Sequence, residues 1–253
     1  PCPMPDRCAV VITCEHGGND IPPPYRSLFA GQAPLLASHR GFDAGALEMA
    51  RDLADAFAAP LVASTVCRLL VDLNRSVSNP VIHSEGVRRL PAEQRAAILA
   101  RFYQPYRSEA ESVVRQAIAE RGRVLHLSSH SFTPVLDDRQ RRADVGLLYD
   151  PRRPGEVALC AHWKATLAHL APHLRVRRNY PYAGKGDGLT AWFRRRLPAD
   201  AYVGIELEVN QKHQADGGAH WAALRRTLIE SLREALLRST GSPPAPPLPQ
   251  ELP

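Results

Sequence analysis

Histidine and carboxylate side chains recur in this chain where an apolar run gives way to polar residues, a placement suited to metal or acid–base chemistry. The run Ala9-Val10-Val11-Ile12-Thr13-Cys14 stops at Glu15-His16-Gly17-Gly18-Asn19-Asp20, the pattern of a buried strand ending in a glycine-permissive loop. A second run, Val124-Leu125-His126-Leu127-Ser128-Ser129-His130, puts His126, Ser128 and His130 on one face of a strand. In Tyr202-Val203-Gly204-Ile205-Glu206-Leu207-Glu208-Val209-Asn210 the same alternation sets Glu206 and Glu208 on one side, Ile205, Leu207 and Val209 on the other. From Asp43 to Ala59, apolar Leu47, Ala50, Leu53, Ala54 and Phe57 follow helical spacing, which predicts a helix with Asp43 as its N-cap.

Each of these residues alone has a plain structural role: a hydrogen-bonded loop histidine, a cap, a solvated glutamate. Their shared position at strand and helix ends supports a joint role. Two histidines, His16 and His130, and one carboxylate, Asp43, leave a coordination position for water, as in catalytic rather than structural zinc sites. A separate glutamate can then act as general base toward that water. Arg68, Asp72, Asn74 and Arg75 interrupt an otherwise apolar stretch. Charges in such a setting need partners, so these residues serve each other or a ligand. Arginine with asparagine suits a substrate carboxylate. In the charged segment 137–142, Arg139 is a further candidate for an anion, although the segment also reads as a solvated turn. The GKGDG segment at 184–188 lacks the spacing of a nucleotide-binding loop and is expected to be a substrate-contact loop.

The elements that must hold these groups alternate between strand and helix. Strands are expected at 61–66 and 145–149, and helices at 92–121, 155–170 and 218–238, the first interrupted by Pro105 and ended by Gly122. An α/β fold follows. With 253 residues and 44% hydrophobic content, one domain over 1–241 is expected, followed by a flexible tail at 242–253 that carries six prolines. The net charge of +6 is spread along the chain. It fits a small anionic partner, and no nucleic-acid signature accompanies it. Five scattered cysteines without a CxxC pair point to reduced thiols and a cytoplasmic location. No apolar run reaches membrane-spanning length and no signal-peptide pattern opens the sequence, so a soluble protein is expected. Nothing in the sequence specifies an oligomer.

Five segments in order, CEHGGNDIP, GFDAGALEMA, CRLLVDLNRS, SHSFTP and GIELEVN, together resemble the N-formylglutamate amidohydrolase family over about residues 10–213. The resemblance implies a three-layer α/β/α fold with a mixed central sheet, similar to zinc carboxypeptidases and the succinylglutamate desuccinylase/aspartoacylase group. It also implies Zn²⁺ as cofactor and hydrolysis of N-formyl-L-glutamate, a small-molecule carboxylate, to formate and glutamate. On this resemblance His16 and His130 are similar to the zinc-binding histidines, and Asn74 and Arg75 to the pair that holds the substrate carboxylate. Arg68 is similar to the arginine that polarises the carbonyl, and Glu208, with Glu206 as alternative, to the base. The related enzymes carry a metal-binding glutamate three residues after the first histidine, where this chain has Asn19. Asp43 is the expected replacement because it too opens a helix, residues 17–42 then being an inserted loop; Asp20 and Glu15 are its rivals. The alternatives are a carboxypeptidase or other deacylase on the same scaffold, and a non-catalytic binding module for an anionic ligand.

Overall fold

Apolar and β-branched runs form the strands. The computed structural model describes residues 8–241, and the expected proline-rich tail lies outside the described residues. In chain order the strands are β1 (Ala9–Cys14), β2 (Leu61–Ala63), β3 (Val124–Phe132), β4 (Val135–Leu136), β5 (Arg139–Gln140), β6 (Val145–Leu148), β7 (Val176–Arg178) and β8 (Tyr202–Asn210). Six of them make the central sheet in the order β2-β1-β3-β8-β6-β7, while β4 and β5 form a separate hairpin. The neighbours of β1 and β3 run parallel. β6 runs antiparallel to β8 and carries β7 parallel to itself, so the sheet is mixed.

Helices cover both faces. On one, Ile12, Leu127, Ile205 and Leu207 pack with side chains of the helices Ala46–Phe57, Pro154–Leu170 and Gly218–Gly241. On the other, Val11, Val124 and Tyr202 meet the helix Gln104–Arg121 and the short helix Leu189–Arg194. Burying each large aliphatic side chain stabilises such layers by roughly 1.5–3 kcal/mol. The arrangement is the expected three-layer α/β/α fold with a mixed central sheet. The two faces differ at the carboxyl ends of the strands. There the second face turns polar, and Ser128, His130 and Glu208 are buried on it.

Three local features refine the sequence expectations. The helix predicted over 92–121 is divided into Ala92–Ile98, a π-helical turn Leu99–Tyr103, and Gln104–Arg121. Pro105 explains the division, since a proline ring clashes with the carbonyl four residues earlier, and that residue, Arg101, lies in the wider π turn. The helix expected from Asp43 instead begins at Ala46 with Gly45 before it, and no side chain caps it. Asp43 is therefore not the N-cap: its carbonyl oxygen accepts from the Ala46 N–H at 3.1 Å, while its carboxylate turns back toward the histidines. β2 ends at Ala63 rather than 66, and Val66 makes only an isolated bridge to Asp20. Among the described residues no helix is long and apolar enough to cross a membrane.

Candidate metal centre and substrate cavity

Strand register brings the chemistry together. Across β3 and β8, Ser128 lies beside Glu206 and His130 beside Glu208. Across β1 and β3, Thr13 pairs with Ser128, so Glu15, two residues further on, reaches the same face as His130. The chain leaves the sheet after His16 and comes back to it, since the Asp43 N–H donates to the His16 carbonyl at 2.9 Å. Residues 17–42 thus form a loop closed at its base, and Asn19 helps hold it by donating to the Leu36 carbonyl at 3.0 Å.

Both histidines direct Nδ1 at one carboxylate oxygen. Asp43 Oδ2 lies 3.3 Å from His16 Nδ1 and 2.8 Å from His130 Nδ1. The outer ring nitrogens are also held: His16 Nε2 is 2.7 Å from Asp72 Oδ1, and His130 Nε2 is 2.9 Å from Glu15 Oε2. One ligand atom from each of His16, Asp43 and His130 lies within 4.8 Å of the others, and all three residues are buried. This donor set fits a divalent metal. Nitrogen and carboxylate oxygen are zinc-type ligands, and Asp72 and Glu15 stand where carboxylates fix the tautomer and orientation of metal-binding imidazoles.

The electrostatics follow from burial and close pairing. Burial by itself would raise the Glu15, Asp43 and Asp72 carboxyls. For Glu15 the His130 contact outweighs it, for Asp43 the His16 and His130 contacts, and for Asp72 Arg68 and His16, so all three are held well below the usual range. Burial would depress His130, but hydrogen bonds to Asp43 and Glu15 carry it well above the ordinary histidine value. Removing one partner from such a buried charge pair generally costs about 3–5 kcal/mol.

A cavity of about 320 Å³ opens onto these groups, lined also by Arg68, Asn74, Arg75, Glu206 and Glu208. Glu208 and Glu206 share a face of β8 but not an environment. Glu208 Oε2 is buried without a hydrogen-bond partner. Burial first, with Asp43 and Glu206 adding like charge against the opposing effect of His130, pushes its carboxyl up to about 8. Glu206 instead accepts from Thr190 Oγ1 at 2.6 Å. Beside Glu208 on β6 stands Gly146, where a Cβ would lie 1.9 Å from the Tyr180 carbonyl oxygen. Only glycine fits between that carbonyl and the glutamate.

Residues 8–214 match the profile of a family described as N-formylglutamate amidohydrolase. The chain belongs to this family. Among solved structures, a gene product of Agrobacterium tumefaciens, Atu2144, is 31% identical, with a TM-score of 0.76 over 90% of each chain. The N-formylglutamate amidohydrolase of Ralstonia eutropha JMP134 is 19% identical and shares the fold, with a TM-score of 0.69 over 94% of this chain and 96% of that one. No curated protein matches the sequence.

Within this N-formylglutamate amidohydrolase family member, the other expected residues divide. Arg68 lines the cavity but is already engaged, Nη1 at 3.1 Å from Asp43 Oδ1 and Nη2 at 2.9 Å from Asp72 Oδ2. Asn74 Nδ2 is 3.3 Å from His130 Nε2, and its Oδ1 accepts from the Leu189 N–H at 2.7 Å. Arg75 donates to the Asp187 carbonyl. Arg139 is not brought to the cavity: Asp137 and Asp138, with φ of 49° and 59°, reverse the chain and leave it exposed on β5. Arg141 is nearer, donating to the hydroxyl of Tyr182, a cavity residue, at 3.1 Å.

Some residues around the cavity carried little signal in the sequence. The carboxylate of Asp187 accepts from the Ser76 N–H, the Ser76 hydroxyl and Asn79 Nδ2, so the expected substrate-contact loop is tethered to the segment after Arg75. Its glycines marked a loop, but nothing local indicated what it would bind. Tyr106, in the first turn of the helix Gln104–Arg121, donates to Glu15 Oε1 at 2.9 Å, and no helical pattern distinguishes it from a core tyrosine. His39, exposed near the end of the 17–42 loop, also lines the cavity.

Proposed function

We propose that the protein is a zinc-dependent amidohydrolase that cleaves N-formyl-L-glutamate to formate and glutamate. One observation carries this reading: Nδ1 of His16 and Nδ1 of His130 converge on the Asp43 carboxylate beside a buried Glu208 oxygen that has no partner. His16, Asp43 and His130 would hold the ion, which when bound supplies Lewis acidity toward water and the scissile carbonyl.

The chain's own groups do the rest. Glu208 takes a proton from the attacking water as the water oxygen bonds to the formyl carbon, and returns it to the departing nitrogen as the C–N bond breaks. A carboxyl raised toward neutrality is suited to both halves of that transfer, and positive charge at the ligand cluster favours its ionised form. Arg68, fixed between Asp43 and Asp72, takes the carbonyl oxygen. Asn74 and Arg75 take a substrate carboxylate through charge-assisted hydrogen bonds. Arg139, exposed on its hairpin, is given no substrate contact. Cys14, Cys67 and Cys160 are buried free thiols, in keeping with a reducing, cytoplasmic setting.

A substrate panel with zinc quantified in the same sample tests the reading. N-formyl-L-glutamate should be turned over faster than acetylated amino acids and short peptides, with a zinc equivalent that His16→Ala removes. Faster cleavage of peptides would transfer the assignment to a carboxypeptidase. Neither turnover nor a His16-dependent metal would leave a binding module.

A further inference from the structure

A second set of metal-type donors converges where β8 gives way to the last helix, and it shares no residue with the cavity. His213, Asp216 and His220 each offer one ligand atom, and these atoms lie within 4.8 Å of one another. His213 and Asp216 belong to the short helix Lys212–Asp216, and three-residue spacing sets them on one side of it. Gly217 and Gly218 then adopt φ of 63° and 53°, a reversal that side chains disfavour, and the chain folds back so that His220 stacks on His213. The ring centroids are 5.1 Å apart with planes inclined by 25°.

The hydrogen bonding resembles the outer shell of a metal site. His213 Nε2 is 2.8 Å from Asp144 Oδ1. Asp144 is itself anchored, its other oxygen accepting from the Arg175 N–H at 2.7 Å and its Oδ1 pairing with Lys212. An Nε2 proton donated to Asp144 leaves the lone pair of His213 on Nδ1. That Nδ1 is 2.8 Å from His220 Nε2. A carboxylate behind one imidazole nitrogen, with the other aimed at a second donor, is the arrangement that orients metal-binding histidines. His213 is buried while Asp216 and His220 are exposed, so an ion has a rigid anchor on one side and access from solvent on the other.

We infer that His213 Nδ1, His220 Nε2 and an Asp216 carboxylate oxygen form a second site for a divalent transition-metal ion of the zinc type. Two zinc–nitrogen bonds of about 2.0–2.1 Å at a tetrahedral angle place their nitrogens about 3.3 Å apart. The present contact therefore opens by about half an ångström on loading, a shift the exposed His220 ring can make by rotation. Its proton moves from Nε2 to Nδ1 and no proton leaves the neutral ring. The ion would clamp the first turn of the last helix to the end of β8. The same segment packs on the turn that delivers Asp43, since a Cβ on Gly45 would stand 2.8 Å from Gln214 Cγ and 2.9 Å from Trp221 Cζ2.

Zinc titration of the chelator-stripped full chain, by calorimetry with metal analysis after dialysis, tests the inference independently of hydrolysis. The wild type should take up two equivalents. His220→Ala and Asp216→Asn change exposed side chains and should keep the wild-type circular dichroism, with His220→Ala retaining one equivalent. Asp144→Asn should weaken the same equivalent about 10–100-fold. In a His16→Ala background, zinc should still raise the melting temperature, and adding His220→Ala should remove that increment. Two equivalents retained in His220→Ala would overturn the second site, as would a single wild-type equivalent lost in His16→Ala. A single equivalent that survives His16→Ala and is lost in His220→Ala would support the second site while removing the proposed catalytic one.

Discussion

His126 and His130 stand four residues apart on the same face of β3, both buried, and the chain uses them in opposite ways. His126 meets neutral partners, Thr13 Oγ1 at 2.8 Å and the Tyr202 hydroxyl at 2.7 Å, with Phe193 and Tyr202 rings beside it. Burial dominates there and pushes its pKa down to about 4. His130 meets Asp43 and Glu15, one on each ring nitrogen, and is raised instead. Burial alone therefore does not identify a functional histidine. The neighbours decide, and those that set the charge lie outside β3: Thr13 and Tyr202 beside His126, Glu15 and Asp43 beside His130.

The pair yields the largest expected contrast. His130→Ala should remove the zinc equivalent that depends on His16 and bring hydrolysis of formylglutamate below detection. His126→Ala should leave metal content and turnover close to wild type while destabilising the fold by about 2–4 kcal/mol through a cavity and two lost hydrogen bonds. Metal analysis alongside a denaturant titration of both variants checks this. Equal metal loss in the two would erase the distinction drawn between them.

The same contrast recurs on β8 with a smaller effect. Glu208→Gln should lower turnover about 10²–10⁴-fold, the usual contribution of a positioned general base, with zinc retained. Glu206→Gln, which keeps an acceptor for Thr190, should stay within about tenfold of wild type. Comparable losses in both would mean that the unpartnered oxygen of Glu208 does not mark the base.

Alternation on β3 and β8 made these pairs legible, because a two-residue period fixes which side chains share a face wherever a strand forms. It could not rank the members of each pair, since the ranking depends on residues brought in by register across strands. Asp43 illustrates the same division. Its place near a helix start was readable, yet the helix begins three residues later and the carboxylate serves the histidines. For Asp72 the pairing with Arg68, four residues earlier, was open to the sequence, whereas its contact with His16 joins residues 56 apart. At Arg139 the segment 137–142 forms the solvated turn that its charge also suggested, and the left-handed residues 137–138 carry the arginine outward, away from the cavity its candidacy required. The tether from Asp187 to Ser76 and Asn79 joins segments more than a hundred residues apart, beyond any local pattern.

Asp72 and Glu15 extend the comparison outward by one layer. If each orients a metal-binding imidazole, Asp72→Asn and Glu15→Gln should weaken zinc at the cavity about 10–100-fold without abolishing it. Competition with a chelator of known affinity measures this. An unchanged affinity in Asp72→Asn would make its contact with His16 merely structural.

The smallest effect concerns stability, and it separates the two histidines by sign. His126 falls from 6.5 to about 4 on folding, so between those values the unfolded chain binds a proton that the folded chain refuses. Stability from keeping His126 neutral is complete above pH 6.5 and is lost as the pH falls toward 4, by up to about 3 kcal/mol in all. His130, raised on folding, contributes the other way: its share is present below its unfolded value and fades as the pH rises through its folded one. The depressed carboxyls of Glu15, Asp43 and Asp72 lose their shares only at lower pH, where unfolded carboxylates take up protons. His126→Gln keeps a side chain able to bond Thr13 and Tyr202 but cannot titrate. Unfolding free energies of the chelated proteins between pH 7 and pH 5 should therefore fall more steeply for wild type than for His126→Gln. Parallel curves would show that folding does not weaken proton binding at His126, and the opposite signs drawn for the two histidines of β3 would not stand.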